Sequence, residues 1–166
     1  MDGVEKVVLL LGSNIEPRKK FLDKALFLLQ QELGRMTASS AIYESEPWGF
    51  DAKVSFLNRV VVFETGKKPE EVLDVCLDVE MNLGRERKES EGYASRTVDV
   101  DILYYGERIV NSDRLVIPHP RLHLRRFTLL PMVEIQPELV HPVLMKTQKE
   151  LLEICPDDSE VKLFID

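Results

Sequence analysis

The feature that most constrains the fold is the order in which two hydrophobic periodicities follow each other along the chain. Apolar residues alternate or run continuously in four segments, as in β-strands, and recur at helical spacing in two others. The segments in chain order are strand 7–12, helix 21–33, strand 36–43, strand 56–65, helix 69–83 and strand 98–105. This β-α-β-β-α-β order predicts an α+β fold with a ferredoxin-like split βαβ core, in which two helices pack on one face of an antiparallel sheet.

Shorter segments after residue 105 predict C-terminal additions to this core. Segments 108–110 and 115–117 are apolar and short, and helices are predicted near 125–134 and 146–154. A length of 166 residues predicts one domain spanning 1–166. The charged loop 85–95 is predicted to be the most mobile part of it.

The balance of charge excludes several broad classes of protein. With 22 basic and 29 acidic residues, a net charge of −7 argues against a general nucleic-acid or membrane-surface binder. Segment 85–126 is different, since it has nine basic and seven acidic residues, and this predicts a local site for an anion such as phosphate. The apolar run 7–11 is too short for a membrane span or a signal peptide, which predicts a cytoplasmic protein. Two cysteines without metal-ligand spacing predict reduced thiols.

Two carboxylates interrupt the last predicted core strand. Asp99 and Asp101 are separated by one residue within a β-branched run, so they share one face of a strand at roughly 6 to 7 Å. Like charges this close repel unless the face is solvated or a cation lies between them, and a hard divalent cation suits two carboxylates. The alternative interpretation is an edge strand with a wet polar face.

Seven short motifs, rather than any single one, point to a family. The sequence has neither GxGxxG nor GxxxxGK[ST], which argues against a Rossmann or P-loop enzyme. It does have, in order, GSN (12–14), YESEPWG (43–49), FLN (56–58), GRER (84–87), RTVDVD (96–101), PHPR (118–121) and RRF (125–127). In these motifs, across almost its whole length, the chain resembles the 6-hydroxymethyl-7,8-dihydropterin pyrophosphokinases, folate-pathway enzymes that transfer pyrophosphate from ATP to a pterin alcohol.

The resemblance implies a role for each matching residue. The implied catalytic residues are Arg85, Arg96, Asp99 and Asp101, and the two aspartates would bind two Mg²⁺ ions that bridge the phosphates of the co-substrate ATP. Implied ATP contacts are Glu80, Arg85, Arg87, Arg96, His119, Arg121 and Arg125. Implied pterin contacts are Ser45, Glu46, Trp48, Phe56, Asn58, Tyr93, Asp99 and Phe127. A monomer is expected, with small-molecule substrates and no nucleic-acid or membrane partner.

Simpler explanations stay open for several of these residues. Arg87 and Arg121 could be ordinary surface charges, and Glu80 a solvated helix acid. Phe127 could be a core residue, and Asn58 could cap a strand edge. Two other functions are also open. One is a non-catalytic ligand- or RNA-binding module on the same sheet, whose RNA-binding form would need exposed aromatics and a basic face. The other is a Mg²⁺-dependent nucleotide transferase with a different acceptor.

Overall fold

The computed structural model describes residues 3–46, 55–84, 86–88, 93–95 and 97–165. Its strands are β1 (Glu5–Ser13), β2 (Arg35–Ser39), β3 (Tyr43–Ser45), β4 (Phe56–Thr65), β5 (Glu86–Lys88), β6 (Tyr93–Ser95), β7 (Asp99–Tyr105), β8 (Val110–Asn111), β9 (Val116–Ile117) and β10 (Val161–Leu163). Its α-helices are α1 (Arg18–Leu33), α2 (Pro69–Asn82), α3 (Arg126–Ile135) and α4 (Gln148–Ile154), and a 3₁₀ turn spans Leu122–Leu124.

One antiparallel sheet organises the chain. Its strands lie in the order β10-β3-β4-β1-β7, and β2 also pairs with β4. Strand β1 is therefore central, between β4 and β7, and β7 forms an edge. This is the predicted split βαβ core, and the fold prediction is confirmed.

Helices cover both faces of the sheet. On one face Val7, Leu9 and Leu11 of β1 pack against apolar side chains of α1 and α2, all of them buried. On the other face Val8 and Leu10 pack with side chains of α3 and α4. The two predicted core helices thus lie on one face, and the C-terminal additions form a second helical layer on the other.

The structure corrects the predicted strand 36–43. The chain forms two strands here, β2 and β3, which both pair with β4. Ser39 pairs with Val61 and Tyr43 pairs with Asn58, so four residues on this side match three residues of β4 and one residue is left over. The extra residue lies between Ser40 and Tyr43, because the backbone N–H of Ser40 still donates to the Val60 carbonyl at 2.8 Å and the Ser40 hydroxyl accepts from the Val60 N–H at 3.0 Å. Within β2 a further register shift lies between Met36 and Ala38.

Other parts of the fold were not predicted. The charged loop 85–95 contains the β5–β6 hairpin, and the short strand β10 pairs with β3. Both cysteines are free thiols, as predicted. Among the described residues, no helix is long and apolar enough to cross a membrane.

Candidate active site

A cavity of about 490 Å³ opens on the face of the sheet that α3 and α4 cover only in part. It is lined by Leu10, Gly12, Ser45, Phe56, Asn58, Asp99, Asp101, Arg121, Leu124, Arg125 and Phe127. Carboxylates, guanidinium groups, an amide and two aromatic rings therefore meet in one space of the size that ligand sites have.

The register of three strands builds the floor of this cavity. Gly12 on β1 pairs with Asn58 on one side and with Asp99 on the other. Two residues earlier on β1 and on the same face, Leu10 pairs with Asp101. Because paired residues of antiparallel strands share a face, the amide of Asn58 and the carboxylate of Asp99 lie two strands apart with only Gly12 between them.

The missing side chain at Gly12 has a structural reason. A Cβ at this position would lie 2.6 Å from Oδ1 of Asn58, well inside van der Waals contact. Asn58 is 3% exposed, and its Nδ2 donates to the hydroxyl of Ser45 at 3.5 Å. Glycine therefore lets a buried amide lie over the strand, directed into the cavity.

The two aspartates lie as the strand argument predicts. Asp99 and Asp101 alternate with the buried Val98, Val100 and Ile102, and both line the cavity. The described residues include no group of three or more His, Cys, Asp or Glu placed to bind a metal. Two carboxylates open to a cavity fit Mg²⁺ nonetheless, since this ion takes few protein ligands and completes its shell with water and phosphate oxygens.

Two arginines form a part of the cavity lining that is called the arginine wall below. Arg121 and Arg125 both line the cavity, on the segment that leads into α3. Burial lowers the pKa of Arg125, and the carboxylate of Asp101 opposes that shift. The Arg125 guanidinium also lies 5.6 Å from the ring centroid of Phe127. An anion entering here would meet positive charge in the same cavity as the two carboxylates.

His119 lies beside this wall rather than in it. Its backbone N–H donates to Leu103 at 3.0 Å, and its Nδ1 accepts from the backbone N–H of Arg121 at 3.1 Å. Burial, reinforced by the charges of Arg125 and Arg121, lowers its pKa to about 4. The ring is thus neutral at pH 7, and because Nδ1 accepts, Nε2 bears the proton and is a donor.

A second, smaller cavity contains all three histidines of the chain. His119, His123 and His141 line it, among mostly apolar side chains. The Nδ1 of His141 accepts from the backbone N–H groups of Val143 and Leu144. In neutral His119 and His141 the proton is therefore on Nε2, because Nδ1 accepts backbone hydrogen bonds. A metal ion would have to bind the Nε2 lone pair, which the proton occupies. This cavity therefore does not suit a metal ion.

Glu80 occupies an unexpected place. The structure buries it to 3% exposure, so it is not a solvated helix acid. Its Oε2 accepts from the backbone N–H of Val100 at 2.8 Å, which connects α2 to the strand that holds the aspartates. Glu80 does not line the main cavity, and contact with ATP stays a prediction.

The structure brings together most of the predicted site residues whose side chains it describes, although not all of them. Ser45, Phe56, Asn58, Asp99, Asp101, Arg121, Arg125 and Phe127 line the main cavity, whereas Glu46 is exposed and His119 lies in the neighbouring cavity. Trp48, Arg85 and Arg96 lie outside the described residues, as do the side chains of Arg87 and Tyr93. Sequence reasoning missed the role of Gly12, whose only signal was its place in the GSN motif.

Comparisons with known proteins agree with this geometry. A family profile described as 7,8-dihydro-6-hydroxymethylpterin-pyrophosphokinase (HPPK) matches residues 8–137. A 2-amino-4-hydroxy-6-hydroxymethyldihydropteridine pyrophosphokinase of Porphyromonas gingivalis is 40% identical over 138 residues, covering 82% of this chain and 93% of that protein. The Aquifex aeolicus protein of the same name is 38% identical over 144 residues, covering 87% and 88%.

A solved structure shows the same fold. The wild-type HPPK-DHPS of Plasmodium falciparum superposes with a TM-score of 0.75 at 18% identity, covering 90% of this chain. The chain spans 44% of that longer protein. By its profile match and its relatives, the chain belongs to the 7,8-dihydro-6-hydroxymethylpterin-pyrophosphokinase family.

Proposed function

We propose that this chain transfers pyrophosphate from ATP to the hydroxymethyl group of 6-hydroxymethyl-7,8-dihydropterin, giving AMP and the pterin pyrophosphate, in folate biosynthesis. The observation that carries this proposal is the row Asn58, Gly12, Asp99, which places an amide suited to a heterocycle next to carboxylates suited to phosphate-bound cations. Family membership supports the same reaction.

The pterin would occupy the part of the cavity around Asn58. Its flat ring would lie against Phe56 and Phe127, which line the cavity, and hydrogen-bond to the Asn58 amide. Ser45 lies within hydrogen-bond distance of that amide. Glu46, Trp48 and Tyr93 are proposed as further contacts on the ground of the family pattern alone.

The triphosphate of ATP would lie along the arginine wall. Arg121 and Arg125 supply positive charge there, and the family pattern adds Arg85, Arg87 and Arg96. His119 would donate a hydrogen bond from Nε2 as a neutral group, so its contribution would not depend on pH near 7. Glu80 would affect the nucleotide site indirectly, because it accepts a hydrogen bond from Val100 on β7, the strand that holds Asp99 and Asp101.

Asp99 and Asp101 would hold two Mg²⁺ ions. Bound there, the ions would neutralise phosphate charge and polarise the phosphoryl oxygens. The residues of the chain would fix the two substrates so that the hydroxymethyl oxygen faces the β-phosphorus in line with the bond to the α-phosphate. A bond from that oxygen to the β-phosphorus would form while the bond between the β-phosphorus and the oxygen of the α-phosphate breaks. AMP would leave with that oxygen, and the hydroxyl proton would pass to water.

The remaining proposals concern the state of the protein. We propose that residues 1–166 act as a single domain and as a monomer; a cytoplasmic location remains a prediction. An RNA-binding role is disfavoured, because α1 with α2 and α3 with α4 cover the two faces of the sheet that the structure describes, and aspartates line the open part.

A product assay tests the proposed reaction. The purified chain, given ATP, Mg²⁺ and 6-hydroxymethyl-7,8-dihydropterin, should release AMP, measured by chromatography. The matched control acceptor is 6-methyl-7,8-dihydropterin, which lacks the attacking oxygen and should give no AMP. Release of ADP in place of AMP, or equal AMP with both acceptors, would contradict the proposal and favour another nucleotide transferase.

A further inference from the structure

A polar cluster lies on the face of the sheet opposite the main cavity, where the β3–β4 hairpin opens. Nη1 of Arg18, the first residue of α1, donates to Oε2 of Glu44 at 3.0 Å, to the carbonyl oxygen of Ser55 at 3.0 Å and to the Ser55 hydroxyl at 2.9 Å. The Ser55 hydroxyl donates to the same Glu44 oxygen at 2.5 Å. These three residues are called the Arg18 cluster below.

The Arg18 cluster is built into the protein rather than spread over its surface. The Arg18 side chain is 13% exposed and that of Glu44 is 24% exposed. The guanidinium lies 5.6 Å from the ring centroid of Phe164, and its Nε lies 3.3 Å from the carboxylate of Glu16. Charge-assisted hydrogen bonds at a largely buried site are strong and directional, so this cluster fixes the distance between β3 and β4.

The cluster is directly connected to the cavity through the backbone. Glu44 and Ser55 are the chain neighbours of Ser45 and Phe56, and the last two residues pair with each other across the hairpin. Ser45 and Phe56 line the cavity, whereas no member of the cluster does. Because successive side chains of a strand point to opposite faces, residues held on one face set the position of their neighbours on the other.

We propose that Arg18 is a positioning residue for the acceptor substrate, because its bonds to Glu44 and Ser55 hold Ser45 and Phe56 in place at the edge of the cavity. The inference rests on the proposed function, in which this end of the cavity receives the pterin. Arg18 touches neither substrate in this arrangement. It acts from the opposite face, and its effect falls on the pterin and not on ATP, which lies along the arginine wall.

Steady-state kinetics of the full chain test the inference. Arg18→Met removes the charge and keeps an aliphatic chain against Phe164. We expect the KM for the pterin to rise about tenfold or more, since small displacements of positioning groups are costly. The KM for ATP and kcat should stay within about twofold of wild type. An unchanged KM for the pterin overturns the inference.

A lysine of the same helix provides the matched control. Lys24 is also on α1, where its side chain is exposed. Lys24→Met removes one positive charge from the same helix and takes away none of the bonds of the Arg18 cluster. Its kinetics should equal those of wild type, and an equal rise in the pterin KM for both variants would assign the effect to net charge and overturn the inference.

Hydrogen–deuterium exchange gives a measurement that does not depend on activity. In Arg18→Met, amides of 43–45 and 55–57 should exchange about tenfold faster, while amides of the β1–β7 ladder keep the wild-type rate. Equal acceleration in both regions would mean that Arg18 only stabilises the whole fold, which overturns the inference. Failure of wild type to form AMP would instead overturn the proposed function, and the exchange result would still decide whether Arg18 holds this end of the hairpin.

Discussion

The two faces of the central strand β1 differ in what surrounds the C-terminal end of the strand. On the face toward α1 and α2, Val7, Leu9 and Leu11 are fully buried from one end to the other. On the opposite face Val8 and Leu10 are buried against α3 and α4, and the next position is Gly12, between an amide and a carboxylate. Apolar packing therefore ends at Leu10 on one face and at Leu11 on the other, and the cavity begins at Leu10 and Gly12. Along β1, stability and chemistry should therefore separate by face, whereas at the β3–β4 hairpin the Arg18 cluster connects the two faces.

The largest expected effect is at the two aspartates. Asp99→Asn or Asp101→Asn should lower kcat by about 10²- to 10³-fold, because a charge aimed at the reacting phosphates is lost. The free energy of unfolding should be unchanged or higher, since two like charges on one strand face repel each other. AMP release and urea denaturation measure the two quantities.

A surface aspartate is the control for this pair. Asp23 on α1 has a half-exposed side chain that does not line the cavity, so Asp23→Asn should leave kcat at the wild-type value. The separation of the two faces would be disproved by a large loss of stability in an Asp99 or Asp101 variant that keeps its activity.

The converse experiment changes the other face. Leu9 is 0% exposed within the cluster under α1 and α2, and Leu9→Ala should lower the free energy of unfolding by about 2–5 kcal/mol. The molecules that remain folded should have wild-type values of KM and kcat, measured at a temperature where the variant is folded. A specific rise in one KM would show that the β1 part of this face shapes the cavity as well, and would contradict the separation along β1.

A smaller effect is expected where the two regions meet. In Gly12→Ala the new Cβ would force the Asn58 side chain aside, so the KM for the pterin should rise about tenfold with little change in the KM for ATP. Gly66→Ala, in the turn before α2, is the control, because neither glycine has a positive φ and Gly66 does not line the cavity. Equal KM values for Gly12→Ala and wild type would mean that Asn58 does not contact the acceptor.

The sequence predicts local structure here better than it predicts pairing. Strand β4 begins at Phe56 and ends at Thr65 as the alternation predicts, and Asp99 and Asp101 share a face because strand geometry requires it. The register shift between Met36 and Ala38 and the pairing of β10 with β3 depend on contacts between distant segments, which a single sequence does not contain.

The site shows the same limit. Residue types and the family pattern identified Asn58 and Asp99, but the fact that they flank one glycine follows from the register of three strands. The position of Arg18 behind the hairpin likewise depends on where α1 begins relative to β3 and β4. A single sequence does not contain the relative positions of strands and helices. The roles of Gly12 and Arg18 both depend on those positions.

The smallest expected effect concerns His119 and pH. In the folded protein burial and the charges of Arg125 and Arg121 lower its pKa to about 4, from an ordinary value of 6.5. Between these two values the unfolded chain binds the proton and the folded chain does not. The stability that neutral His119 contributes is therefore complete above pH 6.5 and is lost as the pH falls toward 4.

The test compares the pH dependence of stability in two proteins. Urea denaturation of wild type at pH 7 and pH 5 should show a larger fall in the free energy of unfolding than the same measurement on His119→Asn, which keeps a polar side chain without a titrating group. Burial also lowers the pKa of His141, so the variant should retain part of the slope. An equal fall in both proteins would mean that His119 is no less basic in the folded state than in the unfolded chain. In that case His119 could carry a charge near neutral pH, and the arginine wall would gain a third cation beside the triphosphate.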